Sequence, residues 1–240
     1  MPDASYWLTI LLVTTIVTAG SAVQAAIGVG LNLFAIPILL LIAPAYAPGP
    51  ILVASAFLSI LALLRVPAEV DRRELTFSLS GLVAGTAAAA IFIAFVDTRY
   101  FVQLMGFIIV LAVGLIVSGL SLQITSRNLF AAGSAAGLMG TIAGMHAPPI
   151  ALLYQGQPPE RVRGSLLAFV ISGNLLSITA LWSVNRFGLA ELYAALGLLP
   201  GVALGLLLAP LLVKHIDANR IRTAILLTSG LSGSVLLFGL

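Results

Sequence analysis

Seven long runs of this chain contain no Asp, Glu, Lys or Arg: residues 4–64, 75–96, 100–126, 128–159, 164–185, 192–213 and 223–240. About 20 apolar residues in a helix cross a bilayer core of about 30 Å. Water could not solvate such a surface, because only 8% of the residues are charged and 60% are hydrophobic, against about a quarter charged in soluble domains. The runs therefore predict an all-α, polytopic membrane protein. Almost nothing is left over for a soluble part, so residues 1–240 read as a single membrane domain. The opening "MPDASYWLTILL" has no positive region ahead of its apolar run and reads as a retained helix rather than a cleaved signal.

The same composition excludes several classes of function. With no cysteine there is no disulfide framework and no thiolate metal site. The two histidines, His146 and His215, are too far apart for a His-Glu-x-x-His metal motif. Every Asp and Glu is expected in a terminus or loop, which leaves no buried catalytic carboxylate, and no nucleophile motif accompanies His146. The chain reads as a non-enzyme without cofactor or metal. Its eleven Lys and Arg fall near helix ends, as topology signals do, and form no patch for nucleic acid. The expected partners are the lipid bilayer and a small anionic substrate; a homo-oligomer is compatible with such a chain.

Two segments occur twice. "GLVAGTAAAAIFIAFVDTR" from Gly81 and "GVALGLLLAPLLVKHIDANR" from Gly201 share the pattern Gly, three residues, Gly, eleven residues, Asp. Upstream, "GSAVQAAIGVGLNLFAIP" from Gly20 and "GSAAGLMGTIAGMHAPP" from Gly133 both begin Gly-Ser-Ala and run through glycines to proline. Small residues recur easily in membrane helices, but two matches in the same order point to duplication, with a first repeat over 1–121 and a second over 127–240.

Loop charge orients the repeats. If 5–44 and 127–157 were single crossings, Arg99, Arg161, Arg163, Lys214, Arg220 and Arg222 would oppose Arg65, Arg72, Arg73, Arg127 and Arg186, which is no bias. If each glycine-rich segment is a hairpin that leaves on the side it entered, only Arg99 and Arg186 oppose the other nine. Cytoplasmic loops concentrate Lys and Arg, so the hairpins are favoured. Each repeat is then a re-entrant or broken helical hairpin followed by three transmembrane helices. The odd number of spans inverts the second repeat, as in secondary transporters. Both termini are expected on the non-cytoplasmic side of a cell membrane, of bacterial inner-membrane type.

Irregular backbone survives in a bilayer only where protein or a wet cavity surrounds it. The tips "GVGLNLFAIP" (28–37) and "GTIAGMHAPP" (140–149) are therefore expected to face each other at mid-membrane. Half-helices starting there would offer free N–H groups and about half a positive charge each, an anion site without a permanent cation. Gly28, Gly30, Gly140, Thr141 and Gly144 are the candidate backbone elements, though such glycines also serve close helix crossings. Asn32 could donate an amide hydrogen bond or satisfy tip carbonyls. His146 could carry a proton or sit neutral against a neighbouring helix. Gln24, Ser55, Ser59, Ser172 and Asn174 are further polar residues on apolar runs, and such serines commonly bond back to their own turn. Arg163 could gather anions or snorkel to the interface.

These residues resemble the sulfite exporter TauE/SafE family. The resemblance is carried by Gly140, Gly144, Pro148, Pro149, Tyr154 and Arg163 within "GTIAGMHAPPIALLYQGQPPERVRGSLLAFVISGN", and by "GVGLNLFAIP" in the first half. It implies a permease, acting as an exporter, for small sulfur-containing anions such as sulfite or sulfonates. A passive anion channel is the main alternative, and an intramembrane enzyme using His146 with a serine is a further one. The chain departs from the family's consecutive glycines at Val29, Leu31, Asn32, His146 and Ala147, which implies a narrower pocket or one of altered chemistry.

Overall fold

The computed structural model describes residues 4–27, 30–65, 70–215 and 217–239. Among the described residues the regular structure is helical and contains no strand. The order is α1 (Ala4–Ile27), α2 (Leu31–Ile42), a single 3-10 turn (Pro44–Tyr46), α3 (Gly49–Leu63), α4 (Arg72–Phe95), α5 (Thr98–Val117), α6 (Ser126–Ala143), α7 (Ala147–Ala151), α8 (Pro159–Ser183), α9 (Leu189–His215) and α10 (Ala218–Phe238). Six of them, α1, α4, α5, α8, α9 and α10, are long and apolar enough to cross a membrane. Large side chains such as Trp7, Leu11, Ile91 and Phe95 lie on the outside, Phe95 at 87% exposure. In water these faces would drive aggregation, whereas in lipid they are simply solvated.

The bursts of charge start helices. Asp71 accepts from the N–H groups of Arg73 and Glu74 at the head of α4, Asp97 from Arg99 at α5, and Asp217 from Asn219 at α10, while Thr125 does the same for Asn128 at α6. An oxygen in that position satisfies donors that have no intrahelical partner and favours the positive end of the helix dipole. One expectation fails here. Glu74 is not in a loop but in the first turn of α4, only 8% exposed, where its carboxylate accepts from the Tyr154 hydroxyl at 3.2 Å. Packing of the α6–α7 return over the head of α4 covers it, which no local pattern announces.

The matched glycines sit where helices cross most closely. A Cβ on Gly81 or Gly85 of α4 would run into the backbone carbonyls of Phe130 and Ser134 on α6. On Gly201 or Gly205 of α9 it would come 3.1 Å from the Thr14 carbonyl and 2.5 Å from that of Thr18 on α1. Ser134 follows Gly133, and Ser21, which also abuts Gly205, follows Gly20. In both crossings a Gly-x-x-x-Gly helix, α4 or α9, packs on the helix that carries a Gly-Ser-Ala segment, α6 or α1. Backbones approach this closely only where side chains are absent.

Loops gather at two ends. At one, Leu122 N–H donates to the Leu152 carbonyl at 3.0 Å, closing α6 and α7 into a hairpin, and Tyr154 meets Glu74. At the other, Arg186 donates to the Val96 carbonyl at 3.2 Å, and Pro44, Ala45, Pro48 and Pro50 share a pocket with Phe101, Arg186 and Glu191.

Candidate functional site

The first tip lies between α1 and α2. Gly28, a predicted site residue, is outside the described residues together with Val29. Gly30 is the residue before α2, and a Cβ there would come 2.7 Å from a Val23 methyl. Gln24, on the last turns of α1, turns back over the tip. Its Oε1 accepts from the Leu31 N–H at 3.1 Å, and its Nε2 donates to Ser59 Oγ of α3 at 3.1 Å. The first N–H of α2 is therefore capped from within the chain. Those of Asn32 and Leu33 come next in the first turn, where a helix supplies no acceptor.

The second tip is built differently. α6 ends on Gly144, which is left-handed (φ 71°, ψ 12°) and returns its N–H to the Gly140 carbonyl. Only glycine adopts this conformation cheaply. α7 has just five residues, and two of them, Pro148 and Pro149, have no N–H to offer. The expectation of two matched half-helix N-termini is corrected accordingly. One genuine half-helix end, that of α2, faces a short proline-rich turn that contributes a carbonyl and a histidine.

The tips touch. Asn32 Nδ2 donates to the Gly144 carbonyl at 2.8 Å, and the Ile36 side chain lies against the same glycine. His146, 1% exposed, fits a slot floored by two glycines, since a Cβ at Gly140 or Gly173 would overlap its imidazole. Its Nε2 lies 3.0 Å from Ser177 Oγ, which is also 2.8 Å from Thr141 Oγ1; Thr141 in turn reaches Thr86 Oγ1 of α4 at 3.4 Å. Across the middle, Asn174 of α8 donates to Ser55 of α3 at 3.1 Å. Ser55 and Ser59 thus bond across helices, whereas Ser172 bonds back to the Ala168 carbonyl of its own turn.

These groups surround a cavity of about 30 Å³, lined by Gln24, Asn32, Ser55, Ser59 and His146 among leucines, Val170, Met145 and Pro148. About 10–15 Å³ admits one water, so the space suits one very small guest. Arg163 does not line it. Its guanidinium donates to the Ala25 carbonyl at 2.9 Å, at the C-terminal end of α1. The structure therefore brings together Gly30, Asn32, Gly144 and His146, with Gly140, Thr141 and Asn174 as their supports. Ser177 and Thr86 were not anticipated. Ser177 lies one turn beyond Gly173, and that i, i+4 spacing was its available signal.

Six long apolar helices around a buried polar cluster mark a multi-pass membrane protein. The family model described as Sulfite exporter TauE/SafE matches residues 12–236, and the chain belongs to that family of transport permeases. No curated protein and no solved structure matches the chain.

Proposed function

We propose that the protein is a secondary-type permease exporting a small sulfur-containing anion, sulfite or a compact sulfonate. Its site is the cavity between the two tips, and its two halves are an inverted repeat in a cell membrane of bacterial inner-membrane type, with both termini outside the cytoplasm. Family membership supports the substrate class. The crossed packing of each half's Gly-x-x-x-Gly helix on the other's first helix supports the repeat. The observation that carries the site is the Asn32–Gly144 hydrogen bond, which holds the tips against one largely apolar cavity with a few polar side chains. Parting that contact opens the cavity toward one end or the other, the two-state change a carrier needs.

His146 is the ionisable side chain lining the cavity and the candidate for any proton linkage. A His146→Gln protein whose flux keeps the wild-type pH profile removes it from that role. The function itself is tested with purified protein in liposomes loaded with sulfite. Saturable efflux, accelerated by external sulfite, supports a carrier. Efflux that never saturates indicates a channel, and no flux indicates a structural role.

A further inference from the structure

We infer that the site selects the singly charged, protonated form of its substrate, an oxyanion that keeps an O–H to donate, over the dianion. The inference rests on the permease reading above and deepens it.

Charge is the first ground. Among the described residues no Lys or Arg lines the cavity; Arg163, whose guanidinium is tied to the Ala25 carbonyl, stays outside the lining, and the end of α2 contributes about half a positive charge. The other tip adds little, because Pro148 and Pro149 remove N–H groups from a five-residue turn. Removing an ion from water costs free energy that rises with the square of its charge, so a dianion is opposed about four times as strongly as a monoanion while meeting the same half charge.

Hydrogen-bond polarity is the second ground. Asn32 faces the Gly144 carbonyl, which can only accept, so the Asn32 atom turned toward it is the NH2 group. Its Oδ1, the other end of the same amide, is buried and has no partner. A buried acceptor left unpaired is costly unless a donor arrives. The donors for the anion's own oxygens are also defined. Gln24 Oε1 takes the Leu31 N–H, so its NH2 donates to Ser59 Oγ, and Ser59 keeps its own proton to give. The first-turn N–H groups of Asn32 and Leu33 stand beside it. Donors at Ser59 and the head of α2, an orphan acceptor at Asn32 and a described lining without Lys or Arg suit hydrogen sulfite better than sulfite dianion or sulfate.

The test is binding to the purified wild-type protein, followed by calorimetry, with three probes. Hydrogen sulfite carries one charge and an O–H, methanesulfonate one charge and no O–H, and sulfate two charges. In mildly acidic solution hydrogen sulfite should bind roughly 5- to 100-fold more tightly than methanesulfonate, the factor expected for satisfying a buried orphan acceptor. Sulfate should not compete. On moving to mildly alkaline solution, sulfite affinity should fall as the ion loses its proton, while methanesulfonate, whose charge is unchanged, reports any response of His146 or the rest of the protein. Equal affinity for methanesulfonate and hydrogen sulfite, or sulfite binding that holds or rises as the dianion forms, overturns the inference and leaves the permease intact. Binding of none of the three overturns both.

Discussion

Asn32 Nδ2 and the Gly144 carbonyl, 112 positions apart in the chain, are 2.8 Å apart in space. This hydrogen bond ties the two helix breaks to each other, and the cavity lies at the tie. Replacing Asn32 with Leu leaves the Gly144 carbonyl without that donor in a buried setting. We expect a loss of about 1–3 kcal/mol, read as a lowered thermal midpoint in detergent, together with loss of sulfite protection against heat. An unchanged midpoint would mean the contact contributes nothing to holding the tips.

The imidazole of His146 occupies space that Gly140 and Gly173 leave empty. Gly140→Ala should displace the ring from Ser177 and destabilise the protein by about 1–3 kcal/mol, as overpacking does. In a His146→Ala background the same substitution should cost much less. A double-mutant cycle measures this coupling, and strict additivity would contradict the slot.

Serines on α8 should behave oppositely. Ser177 joins His146 to Thr141, so Ser177→Ala strands the buried His146 Nε2 and leaves Thr141 only its long contact with Thr86; it should lower stability by about 1–3 kcal/mol. Ser172 bonds only within its own turn, and Ser172→Ala should stay within about 0.5 kcal/mol of wild type. Thermal unfolding of the pair, side by side, checks both.

Helix crossings give a similar contrast. Gly85→Val would force α4 away from the Ser134 backbone and should prevent accumulation of folded protein, whereas Gly114, with open space around it, should accept Ala with a gain of up to about 1 kcal/mol. Yield of monodisperse protein after detergent extraction distinguishes them.

The architecture was legible wherever its cause is local. Uncharged runs located the helices, since charge in lipid is costly, and glycine marked where α2 begins, at Gly30, and where α6 ends, at Gly144, because it acts on its own backbone, whereas Pro37 lies inside α2. The paired Gly-x-x-x-Gly segments also stood out, yet what they pack against did not. Partners such as Ser177 for His146, or Tyr154 for Glu74, are fixed by helix rotation and tilt, which leave no signature between residues 31 or 80 positions apart. The inequality of the tips was written in Pro148 and Pro149 all along, as two missing N–H groups, but it becomes consequential only once α7 is seen to be five residues long.

The absence of cysteine allows a direct test of the central claim, that two broken hairpins enter from opposite leaflets and meet. Single cysteines at Ala45 and Gln155, both exposed, can be challenged in intact cells with a thiol reagent that does not cross membranes. The account predicts that Ala45→Cys is labelled from outside and Gln155→Cys only after the membrane is opened. Labelling of both from the same compartment would contradict it.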